Sequence, residues 1–195
     1  EIYTLSLHDA LPISSLSNYT STYPEVTSTS AYGTGKGLQF YARGKSVLMM
    51  ATPIFDEDLS RMQVSFWLKN SENTNPAKFE VGVLSNLADT STFVAIERIE
   101  RDDRLWEYYD IPLTTAPSTH KYIALRMTND NNKSADYYVD EIKVDSIPSC
   151  RRVKNAKAFF IGNDTVKITF DSSATAWQYA MTDNININSV EGLTA

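Results

Sequence analysis

The chain alternates. Between residues 14 and 150 its apolar side chains recur at every second position in short runs, closed by Gly, Pro, Asn, Asp or Ser, with no sustained helical period. A two-residue period sends successive side chains to opposite faces of a sheet, so each run has one face to bury. The clearest run is 61–69, where Met62, Val64, Phe66 and Leu68 form the inward row and Arg61, Gln63, Ser65, Trp67 and Lys69 the outward one. In 78–84 the inward row is Phe79, Val81 and Val83, and in 121–128 it is Ile123, Leu125 and Met127. Further strands are expected at 37–42, 46–50, 92–99 and 106–113. Roughly seven to nine strands, with turn signals about every 8–15 residues, predict an all-β sandwich or barrel. About 130 residues suffice for a sizeable core without covalent staples.

The run 137–144 carries an anomaly. Strict alternation puts Tyr138, Asp140, Ile142 and Val144 on one face and Tyr137, Val139, Glu141 and Lys143 on the other. The first set, with Ile142 and Val144, is the expected core face, and it includes a carboxylate. A buried, unpaired carboxylate costs several kcal/mol, so Asp140 requires a cation, backbone N–H groups or a metal ion.

Composition narrows the function classes. Lys and Arg total 18 against 24 Asp and Glu, a formal net charge of −6. Nucleic-acid binding calls for a basic stripe, and none is present. No run of about 18 apolar residues offers a transmembrane helix. The single cysteine, Cys150, has no partner within the chain. Eleven tyrosines among abundant Ser, Thr and Asn suit a secreted or surface β-protein, and the same mix also suits many cytosolic ones.

Two boundaries are expected. Residues 1–13 lack the basic start and unbroken apolar run of a signal peptide, since His8 and Asp9 interrupt it. They resemble a translated sequencing-adapter remnant and are set aside as a leader, leaving 14–150 as the first domain; the alternative is an ordinary, poorly patterned N-terminal strand. Ile147-Pro148-Ser149-Cys150-Arg151-Arg152 reads as a linker. Alternation then restarts at 156–161, 165–170 and 176–181. The range 151–195 is about half of what a seven-strand sandwich needs, so a truncated second β domain is expected.

Several blocks together resemble a known group. They are Gly37-Leu38-Gln39-Phe40, Met62 to Trp67, Val81-Gly82-Val83-Leu84 with Ser91-Thr92-Phe93, Tyr122 to Arg126, and Tyr138-Val139-Asp140-Glu141-Ile142-Lys143-Val144. In order and spacing they resemble the MAM-like and cleaved-adhesin-like jelly-roll modules of secreted bacterial surface proteins, above all of Bacteroidetes. Residues 153–195, with Trp177 as a core aromatic, look like the start of a fibronectin type III or similar immunoglobulin-like domain. The resemblance implies a jelly-roll β-sandwich and a secreted or cell-surface location. It also implies a non-catalytic binding or adhesion role, with a glycan or extracellular protein as ligand and other domains of the parent chain as neighbours. The rival expectation is an accessory or spacer domain of a secreted peptidase or glycoside hydrolase. The group's usual N-terminal Cys or Trp segment is replaced here by the leader, and a partner for Cys150 would have lain in it.

Candidate sites follow. Related modules hold a structural calcium near the acid that matches Asp140, with an N-terminal acid and carbonyls of the Gly-x-Leu strand. Glu25 and the carbonyls of residues 35–37 are the matching candidates, and calcium wants six to eight oxygens. Trp67, on an outward row, and Trp106 and Tyr109, near a strand start, are candidates for stacking on sugar rings. Asp56-Glu57-Asp58 and Asn129 to Asn132 are weaker oxygen-rich turns. His8 lies in the leader and His120 in a Pro/Ser/Thr loop without a nucleophile motif, so no Ser-His-Asp or Cys-His mechanism is legible. Nothing selects a carboxylate pair for glycoside hydrolysis.

Overall fold

The computed structural model describes residues 3–4, 11–17, 24–28, 31–33, 35–71, 77–101, 103–149, 153–161 and 166–171. It divides into two units, Glu1–Ile147 and Pro148–Ala195. In the first, two antiparallel sheets form. One runs β3 (Pro24–Thr27), β4 (Gly37–Arg43), β11 (Ser134–Ser146), β6 (Met62–Asn70), β9 (Glu107–Pro112), with β1 (Tyr3–Thr4) also paired to β11. The other runs β2 (Leu11–Ser17), β5 (Ser46–Ala51), β10 (Tyr122–Asn129), β7 (Lys78–Leu84), β8 (Val94–Ile99). The chain changes sheet at each connection from β4 to β7 and again from β8 to β11, the crossing pattern of a jelly roll. Residues 3–4 and 11–13, inside the segment set aside as a leader, contribute backbone pairs: Tyr3 faces Val144 and Leu11 faces Ala51.

The alternating rows meet between the sheets. Met62, Val64, Phe66 and Leu68 are buried from one side, and Phe79, Val81, Val83, Ile123, Leu125 and Met127 from the other. Phe79 is the central ring: its centroid lies 5.4 Å from Phe40, 6.3 Å from Phe66 and 5.3 Å from Tyr137. Burying such a ring contributes about 1.5–3 kcal/mol. Tyr137 enters the same core because its hydroxyl donates to the Ala77 carbonyl at 2.9 Å. A smaller apolar cluster of Met49, Ala51, Leu84 and Ala124 sits elsewhere, with Leu87, Phe93 and Tyr122 packed on it. Phe93 also lies under the Arg126 guanidinium, 3.9 Å from the ring centre. It can do so because Gly82 has no side chain: a Cβ there would fall 2.5 Å from the Phe93 ring and 2.3 Å from the Val94 carbonyl oxygen.

One expectation of phase is corrected. In β11 the core residues are Ala135, Tyr137 and Val139, then Ile142 and Val144. Asp140 therefore shares the outer face with Tyr138 and does not share a face with Ile142. The cause is a β-bulge: Asp140 faces Trp67 and Lys143 faces Ser65, so β11 advances three residues while β6 advances two. Glu141 absorbs the extra residue at φ 51, left-handed backbone unusual without glycine.

In the second unit, β12 (Lys154–Phe160) pairs antiparallel with β13 (Val166–Asp171). Phe160 faces Val166 and Ala158 faces Ile168, and Phe160 is 84% exposed. The strand expected at 176–181 and Trp177 lie outside the described residues.

Candidate functional site

The outer face of the β3–β9 sheet carries an unusual set of side chains for a solvent-facing surface. Trp67 and Lys69 project from β6, and Tyr108 from β9 is the cross-strand partner of Trp67, with ring centroids 5.5 Å apart at 65°. Tyr32, from the connection between β3 and β4, stacks on Trp67 at 4.0 Å and 13°. Trp106, at the entrance to β9, meets Tyr32 edge to face at 5.7 Å and 73°. The Lys69 ammonium lies 5.9 Å from the centre of the Trp106 ring. The four aromatics are all half-buried, so each keeps part of its surface open.

The loop that delivers Trp106 is held from below. Arg101 is a buried cation whose guanidinium forms ion pairs with Asp103 and Glu107 and donates to the Tyr109 hydroxyl at 3.0 Å. Its carbonyl accepts from the Asn70 side chain at 2.7 Å. Arg101 beside Asp103 holds that carboxyl below the usual carboxylate range. Both ends of the loop are thus tied to the strands that flank it.

Beside the aromatics lies a polar strip. The Asp136 carboxylate accepts from the Gln39 amide at 3.0 and 3.1 Å, the Ser71 hydroxyl at 3.0 Å and the Tyr138 hydroxyl at 2.7 Å. These groups come from β4, β11 and the end of β6, and they fix one another's orientation on the same face.

The structure brings Trp67 and Trp106 together, as two rings bridged by Tyr32. It does not bring Tyr109 with them. Tyr109 turns inward, stacks on Phe66 at 5.8 Å and gives its hydroxyl to Glu107. Burial pushes its phenol above the usual range. Its neighbour Tyr108 takes the outer position, because odd and even residues of β9 face opposite ways and the Phe66–Tyr109 pair sets the phase. Sequence reasoning also missed Tyr32 and Arg101, since both lie outside the alternating runs.

Asp140 is buried, at 8% exposure. Its partners are backbone donors: the Glu141 N–H at 2.7 Å on Oδ1 and the Tyr32 N–H at 2.8 Å on Oδ2. Glu25 is exposed on β3 and faces Gln39, which in turn faces Tyr138. Among the described residues no group of three or more His, Cys, Asp or Glu is placed to hold a metal ion. The weaker turns are explained locally. Asp58 caps a short 3₁₀ turn by accepting the Ser60 N–H, and Asn129 donates to the Gly44 and Lys133 carbonyls. His120 spans the Thr92 carbonyl at 3.0 Å and the Thr119 hydroxyl at 3.2 Å.

The crossing sheets define an all-β jelly roll. Among solved structures, the chain is similar to the K1 cleaved adhesin domain of Lys-gingipain from Porphyromonas gingivalis, with a TM-score of 0.58 at 14% identity, covering 76% of this chain and 99% of that one. The K2 cleaved adhesin domain of Lys-gingipain gives a TM-score of 0.59 at 10% identity, covering 74% and 99%. A family 30 carbohydrate-binding module gives 0.50 at 12% identity, covering 72% and 82%. No family model matches the sequence, and no curated protein does. Among the described residues, no helix is long and apolar enough to cross a membrane.

Proposed function

We propose that this chain is a non-catalytic binding module of a larger secreted or cell-surface protein, and that it binds glycans on the aromatic face of the β3–β9 sheet. The observation that carries this reading is the convergence of Tyr32, Trp67, Trp106 and Tyr108 on one sheet face, beside the polar strip of Gln39, Asp136 and Tyr138. A sugar ring offers an apolar C–H face for stacking and a rim of hydroxyls for hydrogen bonds. Aromatic rings and oriented amide, carboxylate and phenol groups complement those two features. The fold shared with domains named as adhesins and as a carbohydrate-binding module supports the reading.

The test is affinity electrophoresis of the full chain through gels containing a panel of polysaccharides, with calcium and with a chelator. Retardation by at least one glycan is expected. Trp106→Ala and Tyr32→Ala should each weaken it tenfold or more, about 1.4 kcal/mol. The chelator lanes test the calcium expectation at the same time. Free migration in every lane would remove the glycan reading for those sugars. It would leave adhesion to a protein, or a spacer role beside a peptidase or glycosidase.

A further inference from the structure

Asp140 joins the main chain to the aromatic patch. Its cross-strand partner is Trp67. Its Oδ2 accepts the N–H of Tyr32, a residue 108 positions away in the chain. The ring of that same residue lies flat on Trp67. The bulge at Asp140 keeps this carboxylate on the outer side, and its other oxygen is satisfied by the Glu141 N–H. Charge-assisted hydrogen bonds from backbone N–H groups are short and strong, and a buried carboxylate requires them. Gly33, at φ 81, turns the chain immediately after Tyr32.

We infer that Asp140 is the positioning residue of the patch: it tethers the Tyr32 main chain so that the Tyr32 ring covers Trp67. A ring face covered at 4.0 Å has no room for a sugar on the same side. Trp67 is therefore the support, and Tyr32 and Trp106 are the rings that meet a ligand. Only this last assignment rests on the proposed glycan reading; the tether itself does not.

The tether is tested by amide hydrogen exchange on the full chain, measured residue by residue by NMR. The Tyr32 amide of the unmodified protein should exchange at least tenfold more slowly than an unprotected amide. Asp140→Asn should return it to the unprotected rate and raise acrylamide quenching of tryptophan fluorescence, while the amides of Phe66 and Leu125 keep their protection. A fast Tyr32 amide in the unmodified protein overturns the inference without any variant. So does equal loss of protection at Tyr32, Phe66 and Leu125 in Asp140→Asn, which would make Asp140 a support of the whole sandwich. Release of the Tyr32 amide by calcium chloride, reversed by chelator, would make Asp140 a metal ligand and also overturn it. A protected Tyr32 amide in a protein that no glycan gel retards would uphold the tether and reject the glycan reading. Retardation equal in Asp140→Asn and the unmodified protein would reject the ligand-facing role of Tyr32.

Discussion

Tyr137 shows what a single buried polar group contributes. Burial pushes its phenol up to about 12 from an ordinary value of 10.0, because the charged form would lie inside the sandwich. The folded state thus favours the neutral phenol. The stability this gives is complete below pH 10.0 and is lost as pH rises from there through about 12. Tyr137→Phe should flatten alkaline unfolding in that window, at the cost of the bond to Ala77, about 1 kcal/mol at neutral pH. Unfolding followed by circular dichroism as a function of pH checks it; unchanged alkaline behaviour would assign the loss to other tyrosines. Tyr109, Asp140 and Tyr32 mark the limit of reading single residues from sequence. The chemistry needed by Asp140, two backbone donors, was among the alternatives legible in advance. That Tyr32 would supply one of them was not, because a donor 108 residues away leaves no local pattern. The only hint was an aromatic residue set next to Gly33 and Gly35.

The strands were legible where the two-residue period ran unbroken. Met62 to Leu68 and Phe79 to Val83 bury the rows that alternation selects. β9 was misread by one position, since Tyr108 and Tyr109 are equally plausible as outward residues until Phe66 is known to stack on one of them. In β11 the bulge defeated the period, and Glu141 lacks the glycine that would have announced it. Gly82 illustrates the converse, a residue whose importance lies in the neighbouring element. Gly82→Ala should displace Phe93 and the start of β8, lowering stability by about 1–3 kcal/mol, because its Cβ meets backbone as well as a ring. Denaturant titration measures the loss, and a change under about 0.5 kcal/mol would show that β8 shifts freely.

For the whole molecule, alternation predicted a sandwich or barrel but neither chose between them nor showed how the chain crosses between layers. That order came from the resemblance carried by short blocks such as Gly37 to Phe40, and the sheet order bears it out. The two layers are keyed by Phe79, which touches rings from β4, β6 and β11. Phe79→Ala should cost about 3–5 kcal/mol, a large share of the 5–15 typical of a domain. The denaturant midpoint should fall with an unchanged slope. A loss near 1 kcal/mol would mean that the layers close over the gap.

The bulge in β11 has a consequence for how the module can change length. Glu141 behaves as a spare link: remove it, and Val139, Asp140, Ile142, Lys143 and Val144 alternate in and out with every side chain still on its present face. A one-residue deletion in a central strand ordinarily turns half its side chains inside out. Here the deleted chain should keep a cooperative thermal transition, whereas deleting Leu68 from β6 should abolish it. The strand should be able to shed or regain that link without re-sorting its core.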